Sequence, residues 1–152
     1  MNKCIALALT GLLLFSGGCA NVPLGERFTA VDPSRDDKAL LYIYRPYSHS
    51  SSAYGVLISV DEDEKVALPV GSYTRIYVDP GRHHLRFSWP LISLQRGMEG
   101  DFKFETGGIY FLRYSVINTG TLWTYSAESV PSDTAIAELK CCSFSRPADD
   151  KP

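Results

Sequence analysis

Between Tyr73 and Trp89 two runs dense in aromatic, β-branched and apolar residues, YTRIYV and HHLRFSW, meet at Asp79-Pro80-Gly81. Pro presets φ for the second position of a turn and Gly accepts the positive φ of the third, so this pairing predicts a type II turn between two strands. The same unit recurs along the chain. ALLYIYR (39–45) is apolar or aromatic on both parities, as in a strand covered on both faces, and Pro46 removes a donor and ends it. VLISV (56–60) and KVAL (65–68) flank the acidic turn Asp61–Glu64, and MEGDFKFE (98–105) and IYFLRYSV (109–116) flank Gly107-Gly108. Both are hairpin patterns, and LWTYSAE (122–128) adds a further strand. A single helix is expected, where Pro131-Ser132-Asp133 precedes TAIAELK: Ser supplies an N-cap, Asp133 an acid in the first turn and Lys140 a base in the last. Ile136, Leu139 and Cys142 fall on one of its faces. The pattern predicts an all-β fold, an antiparallel β-sandwich (immunoglobulin/transthyretin-like) of roughly 7–8 strands with one short C-terminal helix.

The start of the chain reads differently. Lys3 precedes the apolar run CIALALTGLLLF (4–15), which ends in Ser16-Gly17-Gly18 before Cys19. A basic start, a short apolar core and small residues at a cleavage point mark a secretory signal; the run is shorter than the ~20 apolar residues of a spanning helix. Small residues directly before a cysteine resemble the bacterial lipobox, with Ser16 where Leu is usual. This reading makes 1–18 a lipoprotein signal peptide and Cys19 the lipidation site, bearing N-palmitoyl and S-diacylglycerol groups. The alternative is an ordinary secreted chain cut near Gly18 or Ala20. Residues 19–37, with Pro, Gly and charges but no periodicity, read as the lipidated N-terminus and a flexible tether. The β-sandwich domain is expected over 38–145 and a disordered polar tail over 146–152.

The formal charge of −2 becomes about −3 without the signal, and no basic cluster stands out, so nucleic acid is not an expected partner. Of four cysteines only Cys141 and Cys142 remain within the domain; they are expected as structural thiols, with a strained vicinal disulfide the alternative. No G-x-S-x-G elbow, H-E-x-x-H helix or phosphate-binding glycine loop occurs. Ser48-His49-Ser50 is a weak hydrolase candidate, since triads assemble in space. His83, His84, Cys141 and Cys142 carry zinc-binding atoms, but consecutive strand residues point to opposite faces. His83 is therefore expected as a half-buried core residue and His84 as an exposed one. Asp61–Glu64 reads as a solvated turn. Arg45 is expected to stack on an aromatic ring or to pair with a carboxylate. Tyr44, Tyr47, Tyr54, Tyr73 and Tyr77 are expected in packing, with a sugar- or peptide-binding face the alternative. No catalytic, cofactor or metal residues are assigned.

YIYRP (42–46), GSY (71–73) and PGRH (80–83) together resemble a family of small bacterial lipoproteins whose shared domain has no assigned function. The late helix, AIAEL (135–139), fits the same pattern, whereas DEDEK (61–65) departs from the family's Asn-Gly or Asp-Gly turn. The resemblance covers Lys38 to Cys142 and implies an envelope β-domain on a lipid anchor, with no catalytic residues to carry over. The expected function is that of a lipid-anchored outer-membrane protein facing the periplasm, binding or scaffolding an envelope protein or a peptidoglycan or other glycan partner. The alternatives are a periplasmic hydrolase and a thiol- or metal-binding envelope module.

Overall fold

The computed structural model describes residues 24–48 and 53–147. The signal segment, Cys19, His49, Ser50 and the last five residues lie outside the described residues. Among the described residues nine strands form two sheets: β1 (Ala39–Arg45), β2 (Val56–Val60), β3 (Asp63–Leu68), β4 (Ser72–Val78), β5 (Gly81–Ser88), β6 (Met98–Phe104), β7 (Ile109–Asn118), β8 (Trp123–Ser129) and β9 (Ser143–Phe144). A helix, α1 (Ser132–Leu139), precedes β9. One sheet runs β8-β7-β1-β4-β9 and the other β3-β2-β5-β6. The all-β sandwich read from the sequence is the observed fold.

β1 is the centre of the molecule, and every one of its residues is buried. Ala39, Leu41 and Ile43 point between the sheets and join Ile58, Leu68, Leu85 and Phe87 in the main core. Leu40, Tyr42 and Tyr44 point the other way, into a second cluster with Phe28, Tyr73, Phe111, Leu139 and Cys142. The apolar residues on both parities of ALLYIYR thus serve two cores, one on each face of the strand.

The first sheet is mixed, where an antiparallel one is expected from the sequence. β1 pairs antiparallel with β4 but parallel with β7, from Leu40↔Ile109 to Tyr44↔Arg113. β9 also lies parallel to β4. The cause is that two of the hairpin signals are crossings between sheets. Gly107, at φ 71, turns the chain out of β6, and its N–H donates to the Lys38 carbonyl at 3.0 Å, delivering β7 beside β1. Gly81 does hold a positive φ, but its 141° lies well beyond the about +80° of a type II turn. It opens β5 in the opposite sheet from β4.

The acidic hairpin is tighter than four residues. Val60 pairs with Asp63, leaving Asp61 and Glu62 as a two-residue loop with φ of 51° and 74°. Positive φ at both positions is the type I′ geometry whose twist matches the strands. At α1 the expected Ser cap is replaced: Pro131, extended at ψ 145°, holds the N-cap position without a side-chain bond, and Ser132 is the first helical residue. Lys140 caps the C-terminal end, one position beyond the last turn.

The expected tether is docked from Leu24 on. The Gly25 N–H donates to the Phe144 carbonyl at 2.7 Å, and the Phe28 N–H to that of Cys142 at 3.1 Å. Phe28 is 5% exposed and meets Tyr42 and Tyr73 edge-on. Asp32 accepts the Tyr42 hydroxyl at 2.8 Å and pairs with Arg75 at 2.9 Å. Arg35 lies over Tyr77 at 5.2 Å, and Lys38 reaches Asp79 at 2.6 Å. The segment is a strap. Together with α1 it roofs the outer face of the first sheet, and the aromatic stacking beneath it is the reason it stays down.

Candidate functional site

β1 ends on Arg45, a cation only 2% exposed. Its guanidinium lies over the Trp89 ring at 5.0 Å, and Nη1 donates to the carbonyls of Tyr54 at 2.9 Å and Leu68 at 3.4 Å. Stacking, the first of the two roles expected for it, is what the residue does. Burial pulls its pKa down to about 10. Trp89 leans on Tyr114 and Tyr125, and burial pushes the Tyr114 phenol up to about 12. The Tyr114 hydroxyl and the Trp89 indole nitrogen are both buried, and the indole offsets part of that rise in the phenol's pKa.

Beside Arg45 a half-open cleft of about 310 Å³ lies between the end of β1, the second half of β7 and α1; Arg113, Tyr114, Val116 and Glu138 form its walls. Its charges are engaged with one another. Arg113 bridges Glu128 at 2.8 Å and Glu138 at 2.6 Å, and the bond to Glu128 is the leading cause of its raised pKa. The other Glu138 oxygen accepts the Tyr44 hydroxyl at 2.6 Å. Glu138 thus has a donor on each of its oxygens. The network ties β1, β7, β8 and α1 together.

The residues singled out in the sequence do not converge. His83 and His84 stand on β5, in the second sheet, while Cys141 and Cys142 follow α1 outside the first. His83 is half-buried as expected, stacked on Phe104, with Nδ1 2.6 Å from Asp61 and Nε2 2.7 Å from the Asp79 carbonyl. His84 is on the outer face, 2.9 Å from Asp101 and 3.5 Å from Glu99. Its pKa is raised, chiefly by the bond to Asp101. No three His, Cys, Asp or Glu side chains among the described residues are grouped to hold a metal. Both late cysteines are free thiols, Cys141 exposed and Cys142 buried. Burial pushes the Cys142 thiol up to about 12, so it stays protonated at neutral pH. Ser48 lines the cleft, but its neighbours His49 and Ser50 lie outside the described residues.

The five tyrosines do not form one face. Tyr44 and Tyr73 are buried under the roof, and Tyr77 donates to the Pro33 carbonyl at 3.1 Å. Tyr47 lines the cleft, and the Tyr54 carbonyl accepts from Arg45. Sequence reasoning missed the strap and the Tyr44–Glu138–Arg113 network, which arise from isolated residues far apart in the chain. It also passed over PLISL (90–94), an apolar run between strands that was there to be read.

Two sheets, a roofed central strand and a cleft at its end define a β-sandwich domain. Residues 35–125, more than half of the chain, match the family described as Protein of unknown function (DUF2846). The chain belongs to that family. The matched segment runs from the strap into β8, so α1 and β9 lie beyond it. No curated protein and no solved structure matches the chain.

Proposed function

We propose that this chain is a lipid-anchored cell-envelope protein of the outer membrane, facing the periplasm, whose sandwich binds or scaffolds an envelope partner. The observation that carries the reading is the sequence LLLFSGGCA, an apolar core closing in small residues on Cys19. Two further features support it. The strap is bonded to the domain at Gly25, six residues after Cys19, so anchor and domain are closely coupled. The cleft beside Arg45 mixes apolar and charged lining residues, as recognition sites do.

Two or three acyl chains, at ~0.8 kcal/mol per buried CH₂, would give effectively permanent attachment. Cells fed labelled fatty acid are expected to label the wild-type chain and not a Cys19→Ser variant. A wild-type chain without label, or a variant that keeps it, would falsify the anchor.

A further inference from the structure

One end of the sandwich carries an unusual concentration of exposed apolar side chains. The short 3-10 turn that follows β5 (Leu91–Ser93) exposes Leu91 at 96% and Ile92 at 76%, and Leu94 follows at 93%. Trp89 packs against Tyr125 of β8, so this turn and the β7–β8 hairpin emerge side by side. The hairpin adds Leu122 at 68% and Trp123 at 46% exposed. Surface leucines scattered singly need no explanation, but five such residues at one end form a patch that does.

The charges are distributed to match. Arg96, just past the turn, is an exposed cation. At the opposite end, the acidic loop Asp61-Glu62 and Asp79 gather around His83. An anionic bilayer surface would attract Arg96 at the first end, whereas at the second Asp79 is already paired with Lys38.

We infer that the apolar end, Leu91, Ile92, Leu94, Leu122 and Trp123, docks into the headgroup and upper acyl region of the same bilayer that holds the chain's own anchor. This rests on the lipid-anchor reading of Cys19. From Cys19 to Leu24 the chain spans at most about 18 Å, so the domain cannot leave the surface and some part of it must face the lipid. The strap enters beside Phe144, which pairs with Tyr73 near the Arg45 end of β1, in the half of the sandwich nearer the patch. Leucine and isoleucine suit the acyl boundary, and tryptophan the headgroup level. Tethering raises the local lipid concentration, so a shallow insertion too weak to recruit a free domain suffices to orient this one.

The test uses the mature acylated protein reconstituted in phosphatidylethanolamine/phosphatidylglycerol vesicles whose acyl chains carry bromine near the headgroup. Quenching of tryptophan emission is expected, and Trp123→Phe should remove it, since Trp89 is buried in the core. Combined Leu91→Ser, Ile92→Ser and Leu94→Ser changes alter only exposed positions and should reduce the quenching by at least about twofold while the melting temperature holds. Absence of quenching, or quenching indifferent to the three serines, overturns the inference. So does a dimer, seen by sedimentation, that those changes dissociate without any quenching. Mass measurement of the Cys19 peptide reads the anchor separately: a missing acyl group defeats the anchor, and unquenched Trp123 in a fully acylated protein defeats only the docking.

Discussion

Arg45 shows how much one side chain can organise when it is denied water. Its guanidinium is held by two backbone carbonyls and a tryptophan face at the end of the central strand. Arg45→Ala would leave those carbonyls without their donor, at a cost on the order of 2–4 kcal/mol from charge-assisted hydrogen bonds and the cation–π contact. Arg45→Lys keeps the charge but loses the planar fork, and should recover only part of that. Urea unfolding of both variants checks this; an alanine variant within about 0.5 kcal/mol of wild type would show that the contacts carry little. The role of Arg45 was legible as one of two alternatives, because YIYRP places a cation directly after aromatic residues and before a chain break. Its ring partner, Trp89, was not, since nothing in the spacing of the two residues records that β5 ends beneath β1.

Among the elements, the strap departs furthest from expectation. Its composition is that of a linker, and it has no periodicity because it is fixed at single points, Phe28, Asp32 and Lys38, instead of along a face. Phe28→Ala should cost about 3–5 kcal/mol, the usual range for removing a buried phenylalanine, and should loosen residues 24–37 together. Hydrogen exchange at the Gly25 and Phe28 amides is the readout. If those amides exchange no faster in the variant, Phe28 is not the strap's anchor. The strands themselves were readable from alternation and turn residues, but their partners were not. A glycine pair serves equally well to return a strand to its own sheet or to send it across the sandwich. That ambiguity hid the parallel β1–β7 pairing. The helix was readable too, although its cap was not, because Pro131 and Ser132 both satisfy rules for its first positions.

At the scale of the whole molecule, two neighbouring groups at the acidic end give stability opposite responses to pH. Asp61 accepts the His84 backbone N–H and faces His83, and these contacts, in that order, hold its carboxyl below the usual range. A depressed carboxylate stabilises the fold above its unfolded pKa of ~3.9, and that contribution is lost as pH falls through the folded value. His84 is shifted upward, so its contribution is complete below ~6.5 and fades as pH rises through the raised value. Stability is therefore expected to fall on the acid side through Asp61 and on the alkaline side through His84. Melting curves of wild type, Asp61→Asn and His84→Asn across pH 3–9 should show each variant flattening its own flank alone. Variants with unchanged profiles would mean that these exposed pairs are screened away.

The parallel pairing of β1 with β7 also sets an order of events. The first strand made is the central one, yet Leu40 must wait for Ile109, and Tyr44 for Glu138, before either is covered. Contacts so distant along the chain close slowly, because the intervening loop must lose its freedom before any of them is formed. An incomplete chain ending before β7 has an unpaired edge where its core should be. Folding is thereby deferred until synthesis is nearly finished. The export proposed for this chain would draw on that delay, since only an unfolded chain can be threaded through a narrow pore.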